Sequence, residues 1–236
     1  MLARRVVAEG LGTGLLLTAV VGSGIMGEQL AGGNVAIVLL ANTLATAAAL
    51  VVLILTFGAI SGAHFNPVVT LVEAVRGRTS PREGLLYCAG QIVGAYAGVA
   101  AAHVMFGRPL FVASAHVRSG GAQLFSEFVA TFGLIGVILG CSSTRPGAVP
   151  LAVGAYIASA YWFTASTSFA NPAVTLARAA TDTFAGIRPT DVPGFVAAQL
   201  FGAGASAAVF TWLLHDTSRV GAVEAERPRA DAGHRE

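Results

Sequence analysis

Apolar residues gather into six long runs, roughly Val6–Met26, Val35–Phe57, Leu85–Phe106, Leu124–Cys141, Val149–Thr164 and Val192–Leu214. A helix needs about twenty apolar residues to cross the hydrocarbon of a bilayer, so each run predicts a membrane span, the fifth being the shortest. The breaks carry Gly, Pro and charge, as at Gly32-Gly33-Asn34, Arg76–Arg82, Gly107-Arg108-Pro109 and Thr144–Gly147. Two more apolar stretches fit no span. They open at Asn66-Pro67 and Asn171-Pro172 and, at about ten residues each, are too short to cross.

Composition agrees with this pattern. The 236 residues are 55% hydrophobic and 11% charged, against about a quarter charged in soluble domains, and mean hydropathy is +0.72. The chain reads as an integral membrane protein. A net charge of +2 with no basic stripe implies no nucleic-acid partner. Cys88 and Cys141 lie inside apolar runs without a His or Cys at ligand spacing, so neither a disulfide, a metal nor another cofactor is expected. No nucleophile–base constellation points to an enzyme. The first run follows Arg4 and Arg5 but continues past signal-peptide length without a cleavage site, and is expected to be a retained span. The polar stretch 216–236 is expected to be a disordered cytoplasmic tail behind a single transmembrane domain, 1–215.

The two halves match. Glu9, early in the first span, corresponds to Glu127, early in the fourth, and each precedes its Asn-Pro stretch by two spans. A three-span unit (about 5–107 and 122–214) is therefore repeated, and because three is odd the second copy enters from the opposite face. Ten Arg lie at the N-terminus, 76–82, Arg145 and the tail, against Arg108, Arg118, Arg178 and Arg188 on the other side, which predicts both termini in the cytoplasm. The expected fold is all-α: six spans plus two re-entrant half-helices that dip in from opposite faces and meet near the midplane. Intramembrane Glu9 and Glu127 are costly unless they face the bundle, so they are expected to accept hydrogen bonds from the irregular loops leading into the half-helices.

Those loops, Ser61–Phe65 and Ser166–Ala170, are not helical in pattern, and irregular backbone at membrane depth survives only in protein or beside a wet cavity. A pore is the economical answer. Asn66 and Asn171 suit the N-cap and Pro67 and Pro172 the first helical position, leaving each Asn amide free to donate into the channel. Two half-helix N-termini direct positive potential at the midplane, which repels cations and orients a passing hydroxyl solute. An inverted-repeat secondary transporter is the competing reading, but it calls for ion ligands beside the breaks, where only Ser, Thr, Phe and aliphatic residues stand.

The duplicated Asn-Pro boxes (Asn66-Pro67-Val68 and Asn171-Pro172-Ala173), the approach Gly62-Ala63-His64-Phe65 and the Glu at the head of each half resemble the major intrinsic protein family, the aquaporins and aquaglyceroporins. The resemblance implies one pore per protomer, a homotetramer in the plasma membrane, and a selectivity constriction at Thr46, Ser159, Ser168 and Val174. Water channels and glycerol facilitators of the family carry Arg directly after the second box; here it is Val174. A ring of Thr, Ser, Ser and Val, without aromatic wall or guanidinium, is expected to pass glycerol-like polyols, water and neutral metalloid acids such as arsenite, with a strict water channel as the alternative. The Val after the box and the run through Arg178 to Asp182-Thr183-Phe184 resemble bacterial arsenic-resistance channels. Arg178 is expected to form a solvated vestibule ion pair with Asp182. His64 either lines the pore entrance, with pH gating as one use, or hydrogen-bonds the loop.

Overall fold

The structure is a computed structural model, and it describes residues 1–215. The expectation of a disordered tail concerns residues outside that range. Eight α-helices follow in order: α1 Leu2–Leu30, α2 Val35–Ser61, α3 Pro67–Val75, α4 Pro81–Met105, α5 Gly121–Thr144, α6 Val149–Phe163, α7 Pro172–Arg178 and α8 Val192–Leu214. No strand occurs among the described residues. Helices α1, α2, α4, α5 and α8 with its preceding turn are long and apolar enough to cross a membrane, whereas α6, at 15 residues, is shorter. Most helices run past the apolar stretches that announce them, because backbone hydrogen bonding continues where the side chains turn polar.

Helix starts follow local chemistry. The Asn34 carboxamide accepts from Ala36 N and Ile37 N at the head of α2, and the Ser80 hydroxyl from Glu83 N at the head of α4. Helix α2 stops at Gly62, whose φ of 91° carries the chain out of the helix and into the first irregular loop.

Glycine sets the packing within each half. Helix α1 lies against α4 so closely that a Cβ on Gly94 would stand 2.0 Å from the Gly10 carbonyl oxygen, and one on Gly98 2.1 Å from that of Gly14. The second half repeats the device between α5 and α8, where a Cβ on Gly202 would meet the Phe128 carbonyl oxygen at 2.4 Å. Without a hydrophobic drive between helices in lipid, such close backbone approach is what holds them together. Large apolar side chains such as Leu15, Val52, Leu55, Val93, Phe201 and Trp212 lie on the outside, while Glu9, Gln91, Glu127 and Gln199 are fully buried. This inside-out distribution suits a lipid-facing exterior. The short helices α3 and α7 descend from opposite faces and meet tip to tip at the centre.

Candidate functional site: a conduit past two asparagines

The centre is built from two equivalent polar networks. Glu9 accepts from the backbone N–H of His64 at 3.0 Å and Phe65 at 2.7 Å, from the Ser61 hydroxyl at 2.6 Å and from Gln91 Nε2 at 2.8 Å. Glu127 accepts from Phe169 N at 2.8 Å, Ala170 N at 2.9 Å and Gln199 Nε2 at 2.7 Å. The two glutamines also donate to Thr70 and Thr175, whose hydroxyls return to the Asn66 and Asn171 carbonyls. A carboxylate, an amide and a hydroxyl thus tie each span pair to its half-helix. Sequence reasoning found the two Glu but missed Gln91 and Gln199. Their signal was present: Gln-x-x-Gly-Ala occurs in α4 and again in α8, with the close-contact Gly94 and Gly202 inside it.

The carboxylates hold backbone that would not stay in place alone. Ala63 and Phe65 in the first loop, and Thr167, Ser168 and Ala170 in the second, have φ between 46° and 61°. Left-handed non-glycine residues cost about 1–2 kcal/mol each. Hydrogen bonds to a charged acceptor contribute roughly 1.5–3 kcal/mol each, so the bonds from Ser61, His64 and Phe65 to Glu9 and those from Phe169 and Ala170 to Glu127 offset strain of that size.

At the helix tips, Asn66 Oδ1 accepts from Val68 N, and Asn171 Oδ1 from Ala173 N and Val174 N. Each amide then crosses to the other half: Asn66 Nδ2 donates to the Ala170 carbonyl and Asn171 Nδ2 to the Phe65 carbonyl, both at 2.8 Å. One N–H of each amide is spent on this pairing. The second remains for whatever passes.

A cavity of about 250 Å³ runs past both asparagines. By this measure a water needs only about 10–15 Å³, so a file of waters fits. Toward the face that carries the N-terminus its wall includes His64, Glu73, Arg78 and Ser142; toward the opposite face it includes Thr46, Tyr161, Ser168, Phe169, Val174 and Arg178. Leu16, Val20, Leu50, Ile54, Leu134, Ile138, Val153 and Ile157 make the stretch between apolar. Glu9 and Glu127 are not in the wall. Pro67, Val68, Pro172 and Ala173 stand behind it, Val68 packed with Ile135, Leu139 and Ala203. His64 lines the cavity, and its Nδ1 lies 3.1 Å from the Thr70 hydroxyl on α3, not on a loop carbonyl.

Three expectations are corrected. Ser159 does not reach the cavity: it is exposed, its hydroxyl donates to the Tyr156 carbonyl, and α6 instead presents Val149, Val153, Ile157 and Tyr161, four residues apart. An offset of two residues from that row turns a side chain to the far side of a helix. The wall is not free of aromatic residues, since Tyr161, bonded to the Thr46 hydroxyl at 3.3 Å, and Phe169 both line it. Nor is Arg178 a solvated ion pair. It is 1% exposed, donates through Nε to the Ala185 carbonyl and lays its guanidinium 3.4 Å over the Phe169 ring, while Asp182 accepts from Ala115 N.

A second buried arginine, Arg118 in the loop between α4 and α5, was not foreseen as part of the site. It donates to the carbonyls of Gly186, Ser166 and Phe184, and its own N–H reaches Asp191 at 2.8 Å. Burial draws it down to about 10, which leaves it a cation at neutral pH. It staples three loops against the approach to α7. His103 does similar work, bridging the Pro109 carbonyl and the Thr181 hydroxyl.

Comparison with known proteins agrees with this geometry. The family model described as "Major intrinsic protein" matches residues 1–164. Aquaglyceroporin AqpS of Rhizobium meliloti (strain 1021) is 56% identical over 90% of this chain and 91% of its own length. Aquaporin NIP1-3 of Oryza sativa subsp. japonica is 34% identical over 87% of this chain and 72% of its own. Among solved structures, the aquaglyceroporin from Plasmodium falciparum superposes with a TM-score of 0.68 over 95% of this chain and all of that one, at 20% identity, a likeness of fold. With paired half-helices, a carboxylate bracing each and a conduit between them, the chain belongs to the major intrinsic protein family.

Proposed function

We propose that this protein is a passive channel that passes glycerol-like polyols, neutral metalloid acids such as arsenite, and water. The observation that carries the reading is the wall of the cavity beyond the asparagines, where Thr46 and Ser168 stand with Tyr161, Phe169 and Val174, the last at the position where the family resemblance would place arginine. A polyol presents hydroxyls along one edge and C–H groups along the other, so hydroxyl and apolar walls recognise both at once. The name of the 56% identical relative, an aquaglyceroporin, supports the same solute class.

Asn66 and Asn171 each offer the passing solute a donor, which orients its oxygen and interrupts a chain of waters that would otherwise carry protons. Both central carboxylates are consumed in bracing backbone and stand outside the wall, which weighs against ion-coupled transport. The remaining parts of the reading are a plasma-membrane location, cytoplasmic termini and a homotetramer in the bilayer with one conduit per protomer. They rest on the arginine asymmetry and on family resemblance.

The test is solute entry into proteoliposomes. After an inward glycerol or arsenite gradient, vesicles with the protein are expected to reswell well ahead of protein-free vesicles. Acceleration of water alone would put the protein among strict water channels.

A further inference from the structure

Helix α7 ends on a guanidinium that is only partly used. Arg178 is 99% buried, and its Nε is committed to the Ala185 carbonyl, yet Nη1 and Nη2 have no hydrogen-bond partner among the described residues. The side chain forms part of the cavity wall, held flat against Phe169. It lies four residues, one helical turn, beyond Val174 and on the same face of α7. A second unspent group lies in the same wall: the Ser168 hydroxyl is buried and has no partner.

The charge is also uncompensated. The ion pairs of the described residues involve Arg5, Arg78 and Arg188; neither Arg178 nor Arg118 faces a carboxylate across a salt bridge. Arg118 spends its guanidinium on carbonyls. Of the two buried arginines, Arg178 is the one that keeps free donors at the conduit.

We infer that Arg178 and Ser168 form the solute-selecting site at this end of the conduit, with the two Nη groups forking onto two oxygens carried by one centre or by adjacent carbons. This rests on the channel reading above and specifies which solutes it prefers. A planar guanidinium donates two parallel N–H groups, a match for vicinal diols and for hydroxylated metalloid acids. Urea, with one oxygen and two amino groups, fits it poorly. The same cation, fixed and buried, turns away sodium ions. The arginine absent after the second Asn-Pro box is thus replaced from one turn further along, by a side chain reaching back along the half-helix.

The alternative is a strut, since Nε also ties α7 to the loop before α8. Ratios of fluxes separate the two. The full-length protein in proteoliposomes is compared with R178Q, R178K and S168A by stopped-flow light scattering in glycerol and in urea, with a sodium-sensitive dye inside. R178Q is expected to lower the glycerol-to-urea permeability ratio about fivefold, and S168A about twofold, the scale of one hydrogen bond lost. R178Q is also expected to admit sodium. R178K, a point charge without the fork, should keep sodium out and still lose the glycerol preference. Should R178Q fail to fold, R178K and S168A decide: a lowered ratio in both supports the site, and an unchanged ratio in both overturns it. If R178Q folds and the ratio and sodium exclusion stay as in wild type, Arg178 is a strut and this inference fails alone. If wild-type vesicles pass neither solute faster than empty ones, the channel reading fails and takes this one with it.

Discussion

Replacing Glu127 with Gln probes the strongest physical link between a span and its half-helix. The wild-type carboxylate takes three hydrogen bonds, two of them from consecutive backbone N–H groups of the loop, at 0% exposure. At about 2 kcal/mol each for a charged acceptor, these become at best two neutral bonds of about 1 kcal/mol. The amide NH₂ must then face a donor, and the N–H so stranded costs a further ~1–3 kcal/mol. Part of this returns when the loop lets go, because Thr167, Ser168 and Ala170, at φ 61°, 50° and 46°, relax. That relief is worth about 1–2 kcal/mol each. The folded loop is left weaker by on the order of 2 kcal/mol, which for a domain of this size corresponds to a fall in Tm of roughly 4–8 °C. The assay is thermal unfolding of the purified protein in detergent, followed by tryptophan fluorescence, beside glycerol flux in vesicles. Exposed Glu28 supplies the control, and E28Q should change neither. If E127Q melts within a degree of wild type and conducts glycerol equally, the carboxylate does not hold the loop and the bracing role is wrong.

Other outcomes follow from single contacts. E9Q should destabilise at least as much as E127Q, because Glu9 accepts four bonds rather than three; differential scanning fluorimetry reads the order. V174R should set a bulky cation into the neck beside Arg178 and cut glycerol and arsenite flux about tenfold or more while water still crosses; unchanged flux would locate the filter elsewhere. G94V drives side-chain carbon into the Gly10 carbonyl and should abolish correctly assembled protein, whereas G204A, with nothing within 4 Å, should express and melt like wild type. Asn171→Leu removes the cross-half bond to Phe65 and should lower solute flux sharply, measured by the same swelling assay.

Features repeated at fixed spacing were the ones legible in the sequence. Two Asn-Pro boxes and two early glutamates, Glu9 and Glu127, yield the inverted repeat, the half-helices and the bracing of their loops. Each is a local pattern with one physical solution in a bilayer. Gln91 and Gln199 recur in the same way, in a repeated Gln-x-x-Gly-Ala, although an uncharged amide is a weaker signal in a span than a carboxylate. Ser159 failed for a different reason. Counting residues from Asn171 gives distance along the chain but not the rotation of α6, and an error of two residues reverses a helix face. The fates of Arg178 and Arg118 depend on one loop, 181–187, which follows close behind Arg178 but lies far along the chain from Arg118, and whose fold back over the approach to α7 no local pattern announces. An arginine near a carboxylate four residues away suggests an ion pair, and only the fold reveals that Asp182 is turned to Ala115 instead.

The central claim is that water and larger neutral solutes share one conduit past Asn66 and Asn171. The reflection coefficient for glycerol, obtained by comparing vesicle shrinkage in glycerol with shrinkage in an impermeant osmolyte, measures that sharing. A value clearly below one, rising toward one in V174R, is the expected result. A wild-type value of one, with water flux well above that of empty vesicles, would mean that glycerol never enters the path water takes.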